Sequence, residues 1–293
     1  MEQYKKHLIH LHIIVFIYGF TAILGRLITL DAISLVWYRM LIAFVTLGLM
    51  LLGLKKRIDV SPKSLMVMVG IGFIVAFHWI TFFHAIKIST ISVALGCLAS
   101  TTLFTSFLEP AIIRRRISFL EVLTGVVIII GLYIIFQFEP DHFLGILIAL
   151  LSAFLAALFT VLNKALVKKH HPVTISFYEM GGGFLAITLF MLVSGSFNAY
   201  FPIPKENDLI YLLLLGIVCT SYAFMASVKV MKSLSAYTVV LTVNLEPVYG
   251  ILMAFFMFGD TEKMSPGFYL GTLIVLSAVF LFPVLRKKFP TRG

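Results

Sequence analysis

Charge is scarce in this chain. Asp, Glu, Lys and Arg make up 12% of its 293 residues, about half the share usual in a soluble domain. That density cannot coat a water-soluble surface, so a soluble enzyme, a disordered segment, a coiled coil and a fibrous protein are excluded before any motif is read. Cysteine is nearly absent too. Cys97 and Cys219 both sit in apolar runs and form neither a disulfide framework nor a metal site. A Walker A loop, which would hold ATP, is missing. So are a His-Glu-x-x-His pair, a Gly-x-Ser-x-Gly elbow and a Gly-x-Gly-Asp motif, since Met257 stands where the last would need its first glycine. His7, His10 and His12 are near one another, but the other histidines form no paired clusters of the kind a di-iron membrane enzyme needs. No cofactor, metal site or catalytic residue is expected.

What is present is hydrophobic length. Apolar residues make up 60% of the chain and mean hydropathy is +1.05. Ten apolar stretches lie at 8–30, 33–54, 64–86, 91–112, 118–137, 143–166, 173–194, 208–228, 234–258 and 267–285. Each is about the 20 residues a bilayer-spanning helix needs. The expected fold is an all-α polytopic membrane protein of ten transmembrane helices, with too little chain left for a soluble domain. Ser61-Pro62, His171-Pro172 and Ser265-Pro266 place proline where a first helical turn favours it. No small-residue cleavage site follows the first apolar run, so it reads as a retained helix and not a signal peptide.

The net charge of +10 would suggest nucleic acid in a soluble protein. Here the basic residues alternate with the helices, and no nucleic-acid partner is expected. With the N-terminus in the cytoplasm, Lys5-Lys6, Lys55-Lys56-Arg57, Arg114-Arg115-Arg116, Lys168-Lys169, Lys229, Lys232 and Arg286-Lys287-Lys288 all fall inside. Only Lys87, Lys205 and Lys263 fall in outer loops, beside Asp31, Glu139, Asp141, Glu206, Asp208, Asp260 and Glu262. By the positive-inside rule both termini are cytoplasmic, in a bacterial-type inner (plasma) membrane.

The two halves echo each other. Trp37-Tyr38-Arg39-Met40 matches Phe177-Tyr178-Glu179-Met180 at a separation of 140, and Ala85-Ile86-Lys87 matches Ser227-Val228-Lys229 at 142. Ser118–Gly125 matches Ser265–Gly271 at 147 and 146. The identical tripeptides Leu108-Glu109-Pro110 and Leu245-Glu246-Pro247 are 137 apart and break this order, so they are read as non-equivalent. Five helices per half make the second half enter from the opposite side. The expected organisation is residues 1–138 and 139–293 as two inverted repeats, a common transporter construction.

On these halves the chain resembles the drug/metabolite transporter superfamily, and within it the EamA-like permeases. The resemblance covers nearly the whole sequence. It rests also on Tyr18-Gly19-Phe20, Arg39, His84-Ala85-Ile86-Lys87, Asn244-Leu245-Glu246-Pro247 and Gly259-Asp260. Family members commonly carry an acidic residue in the loop before the fifth helix, where this chain has Arg114-Arg115-Arg116. The resemblance implies a secondary transporter, often an exporter of amino acids or related metabolites, with a central cavity between the halves.

Ionisable and polar-tipped side chains at membrane depth are functional candidates, because burying them is costly. Glu246 precedes Pro247, whose missing N–H frees the Val243 carbonyl; with Asn244 this makes a polar notch for a substrate ammonium or a proton. His78 is the second candidate proton carrier, and Trp79 could stack on substrate. Tyr18, Thr21, Ser100 and Tyr222 could offer hydroxyls to a cavity, although neighbouring helices or their own backbone could satisfy them equally. Arg39, Glu179 and Pro247 are assigned to gating or structural roles. Gly181-Gly182-Gly183 reads as a close-packing stripe. The expected partners are a small-molecule substrate, the lipid bilayer and, if a proton gradient drives transport, protons. The oligomeric state is not readable. A non-transporting scaffold or sensor and a membrane-embedded enzyme are the competing readings.

Overall fold

A computed structural model describes residues 2–53, 60–114, 119–198 and 201–288. Lys55, Lys56, Arg57, Arg115, Arg116 and Ser118, the first residue of one repeat match, lie outside the described residues.

Among the described residues the chain is helical with no strand. The helices are α1 (Glu2–Leu27), α2 (Ala32–Gly53), α3 (Pro62–Ile88), α5 (Phe119–Phe138), α6 (Phe143–Leu166), α7 (Pro172–Val193) and α10 (Pro266–Lys288). Three others are interrupted. α4 consists of Ile91–Leu98 and Thr101–Ile113, and α9 of Ala236–Val243 and Glu246–Phe258. α8 runs from Glu206–Leu213 through a π-helical stretch, Leu214–Tyr222, into Ala223–Val230. Nine of these are long and apolar enough to cross a membrane, and Pro266–Phe282 in α10 adds a shorter apolar run. This is the expected ten-helix polytopic membrane fold.

Local sequence explains the starts. α3, α7 and α10 each begin on the expected proline, and the hydroxyls of Ser61 and Ser265 accept the Ser64 and Phe268 amides at 3.3 and 3.1 Å. The distribution of side chains inverts that of a soluble protein. Phe119, Phe256 and Val193 are 81%, 83% and 90% exposed, whereas Arg39 and Glu179 are buried. An apolar outer surface around polar inner positions is the arrangement hydrocarbon imposes.

Packing follows the small residues. α3 lies against α6 and α7, α2 against α7 and the π-helical part of α8, and α5 against α10. At the α3–α7 contact the backbones nearly touch: a Cβ on Gly72 would sit 2.2 Å from the Glu179 carbonyl oxygen, and one on Gly182 would sit 2.7 Å from the Val69 carbonyl oxygen. Gly182 and Gly183 therefore serve close approach, with Gly183 against Met40 and the Gly72 carbonyl.

The two broken helices lie side by side and antiparallel. Ile91–Leu98 packs on Glu246–Phe258, and Thr101–Ile113 packs on Ala236–Val243. Their interruptions, at 99–100 and 244–245, are 145 residues apart, within the drift of the repeat matches. The two Leu-Glu-Pro tripeptides sit differently. Pro110 is inside a helical segment, whereas Pro247 is in the first turn of one.

At one end of the bundle the connecting segments are tied together. Asp208 accepts the Thr29 amide and hydroxyl at 2.9 and 2.6 Å. The buried Glu262 carboxylate accepts the Ile91 and Ser92 amides, at 3.1 and 3.0 Å, and so caps α4. Glu139 accepts the Ser265 amide at 2.9 Å, and Lys87 Nζ donates to the Ile28 carbonyl at 3.0 Å.

Gly72→Val forces α3 off α7, because the obstructing atoms are backbone. It should lower stability by at least about 1–3 kcal/mol and broaden the size-exclusion peak of the purified protein. Gly70→Ala, where nothing lies within 4 Å, should be as stable as wild type or more so, by up to about 1 kcal/mol. Equal behaviour of the two variants in thermal unfolding would contradict the packing account.

Candidate functional site

A cavity of about 100 Å³ lies where the two interruptions meet, lined from α1, α2, α3, α4, α6, α8 and α9. One buried water needs only about 10–15 Å³, so the space suits several waters or a small solute.

The α9 interruption supplies its acidic side. The helical hydrogen-bond ladder tightens at Asn244 and Leu245, where the Leu245 amide bonds three residues back to Thr242 at 3.1 Å, while both residues keep right-handed helical dihedral angles, and the α-helix resumes at Glu246. Proline at 247 has no N–H to continue the ladder. The Asn244 amide nitrogen donates to the Thr102 hydroxyl, across from one broken helix to the other. Glu246 is 6% exposed and faces the cavity. Among the described residues its carboxylate accepts no hydrogen bond and makes no ion pair of 4.0 Å or less. An unpartnered carboxylate beside open space is set up to receive a cationic or hydrogen-bond-donating group.

The α2 side supplies the opposite charge. Arg39 Nε donates to the Thr220 hydroxyl at 2.7 Å, and the guanidinium lies 3.7 Å from the centre of the Trp79 ring. Its NH1 nitrogen is buried with no partner among the described residues. The π-helical stretch of α8 explains Thr220: its hydroxyl bonds five residues back, to Leu215, at 2.7 Å, as Ser221 does to Gly216 at 2.9 Å. π-helical turns recur at functional sites, and this one presents its acceptor to a buried cation.

The cavity brings together Tyr18, Thr21, His78, Trp79, Asn244 and Glu246, with Arg39 and Pro247 also in its wall. His78 Nδ1 donates to the Ser152 carbonyl at 2.9 Å, and the Ser152 hydroxyl donates to the His78 carbonyl at 3.1 Å. Trp79 gives its face to Arg39. Three candidates stand elsewhere. Ser100 is fully buried, with its hydroxyl on the Cys97 carbonyl at 2.7 Å, the back-bonding that serine often makes in helices. Tyr222 is 42% exposed and its hydroxyl meets His10 Nε2 at 2.9 Å on the outside of the bundle. The wider π-helical turn rotates Tyr222 outward while Phe224 and Ser227 face in. Glu179 is buried behind the wall, against Asn163.

The structure adds lining residues that the sequence did not single out, among them Phe159, Thr160, Asn163, Phe224 and Ser227. Thr160 and Asn163 are three apart in a largely apolar helix, a spacing that puts them on one face and could have marked them.

Thr220→Val removes the acceptor from a buried guanidinium and should cost about 1–3 kcal/mol. The loss should appear as a lower melting temperature for purified Thr220→Val, and a melting temperature at or above wild type would contradict the assigned bond.

The model of the EamA-like transporter family matches residues 6–137 and again 143–283. Three proteins of Archaeoglobus fulgidus, each named an uncharacterized transporter, are similar in sequence. One is 24% identical over 271 residues, spanning 92% of this chain and 94% of the relative. A second is 24% identical over 266 residues, with 86% and 88% covered. The third is 26% identical over 153 residues, and there the chain spans about half of the relative, 53%. A solved structure described only as a crystal structure of a protein superposes with a TM-score of 0.70 at 15% identity, covering 96% of this chain and 98% of the other. That likeness concerns the fold alone. Two matches to one family model, together spanning nearly the whole of a helical membrane protein, make this chain a member of the EamA-like transporter family.

Proposed function

We propose that the protein is a secondary active transporter that exports amino acids or related small metabolites by alternating access. The observation that carries this reading is the pair of opposite charges in one cavity: an unpartnered Glu246 carboxylate and a fixed Arg39 guanidinium. Such a pair suits a zwitterion, with the substrate ammonium toward Glu246 and its carboxylate toward the field of Arg39. Asn244, Tyr18 and Thr21 offer hydrogen bonds, and Trp79 offers its edge. Arg39 and Pro247 act structurally, one as a fixed charge and one as the cause of the notch.

In this reading residues 1–138 and 139–293 are inverted repeats that rock about the cavity, and both termini are cytoplasmic in a plasma membrane of bacterial type. The tie of Asp208 to Thr29 and of Glu262 to α4 joins the two halves at one end. At the opposite end Lys164 Nζ bonds the Leu234 carbonyl, at 2.6 Å, inside the second half. Export opens and closes these ends in turn. A substrate or proton gradient drives it: one charge moving through 100 mV supplies about 2.3 kcal/mol, roughly a fiftyfold gradient. Glu246 is where substrate and proton compete, and the Ser152 bond holds His78 as part of the wall. No chemical conversion, metal or cofactor enters the cycle.

The test is metabolite profiling of medium from cells producing wild type, Glu246→Gln or neither. Wild type should raise one class of small zwitterionic solute. Glu246→Gln, produced at the same level, should lower the effect about 10–100-fold, the worth of a charge-assisted hydrogen bond. Three matching media, with protein confirmed in the membrane, would overturn the reading.

A further inference from the structure

A second carboxyl group lies behind the cavity wall, where α6 and α7 are joined. Glu179 is about two turns into α7 and has no accessible surface. Asn163, in the last turn of α6, is equally buried by its neighbours, but it lines the cavity. Its amide nitrogen donates to Glu179 Oε2 at 3.3 Å. The two remaining oxygens of the pair, Glu179 Oε1 and Asn163 Oδ1, have no hydrogen-bond partner among the described residues. Ser176, one turn earlier on the same face of α7, is also buried and unpartnered there.

An ionised carboxylate in such a place is heavily penalised unless a cation is paired with it. The packed elements supply none. On α2, Arg39 is engaged by Thr220 and Trp79. On α3, His78 is held by Ser152, and Lys63 is exposed. On α6, Lys164 Nζ bonds the carbonyls of Met231 and Leu234. On α8, Lys229 is exposed. Tyr178 and His171 are the titratable neighbours on and before α7 itself. Among the described residues none of these lies within 4.0 Å of Glu179 as an ion pair.

A proton on Glu179 removes the charge and supplies the one donor that both oxygens lack. A carboxylic acid and a carboxamide side by side can satisfy each other through two bonds, N–H to the carboxyl and O–H to the amide oxygen. We propose that Glu179 and Asn163 form a proton-binding site in the cavity wall, in which Glu179 carries the proton and Asn163 joins it to the cavity. Release requires a cavity water to reach Oε1 past the Asn163 side chain; the proton then passes to that water and leaves a carboxylate held by the amide N–H alone. Asn163 is then tied by one bond instead of two. The use of this site in coupling rests on the transport reading above, whereas the binding of the proton does not.

Infrared difference spectroscopy of the purified protein reads the proton directly. At neutral pH the wild type should show the C=O stretch of a protonated carboxyl that is lost in Glu179→Gln and persists in Glu246→Gln. In Asn163→Ala the same stretch should shift to the higher frequency of a carboxyl without that partner. Glu179→Gln puts an amide where the acid was and can pair with Asn163 in the same two-bond way, so it is expected to fold. If it does not, the Asn163→Ala shift decides. A difference spectrum in which Glu179→Gln removes carboxylate bands instead, or an unshifted stretch in Asn163→Ala, would overturn the proposal. A band without transport would sink the transport reading and leave the proton site standing. Transport without the band would do the reverse.

Discussion

Backbone groups inside a bilayer must find partners within the protein, and the structure turns on how two helices that break there meet that demand. α4 and α9 are interrupted at the same depth and packed against one another. Side chains beside the gaps make the bonds. Asn244, in the gap of α9, bonds Thr102, just past the gap of α4. Ser100 and Thr101 turn their hydroxyls onto the Cys97 and Leu98 carbonyls, at 2.7 and 2.6 Å. Irregular backbone at membrane depth survives where it is buried in protein or lines a cavity, and here it does both. The cavity lies at this crossing, and Glu246, the first residue of the second segment of α9, faces it.

Around this crossing the charges are divided by task. Acidic groups at one end of the bundle are spent on backbone amides: Asp208 on Thr29, Glu262 on α4 and Glu139 on Ser265. Arg39 is spent on Thr220 and Trp79. Glu246 is left over, facing open space, and Glu179 keeps one oxygen without a partner behind the wall. Buried carboxyl groups are normally satisfied, and these two, which lack a full set of partners among the described residues, carry the functional reading.

Much of the fold is legible in the chain because lipid imposes length and apolarity on every span. The reading at 64–86 became Pro62–Ile88, 143–166 became Phe143–Leu166 and 173–194 became Pro172–Val193. Proline at the first position of α3, α7 and α10 announced their starts. The notch at Glu246 was legible through Pro247. The break in α4 was not, since Leu98 to Thr101 contains neither proline nor glycine and the interruption depends on its neighbour α9. The π-helical turn was equally hidden. It moved Tyr222 to the outside and put Thr220 beside Arg39, and no local pattern in an apolar run reveals a change of helical pitch. Asn163 escaped notice for a related reason: it matters through Glu179, sixteen residues on, in the next helix.

The central claim is that one cavity at the crossing of α4 and α9 opens to each side of the membrane in turn. Thr101 lines that cavity at the interruption. A single cysteine at this position, with Cys97 and Cys219 replaced by alanine, can be offered a membrane-impermeant thiol reagent in intact cells and in inverted vesicles. Labelling from both faces is the predicted result. Labelling from one face only, or from neither while the denatured protein reacts fully, would contradict it.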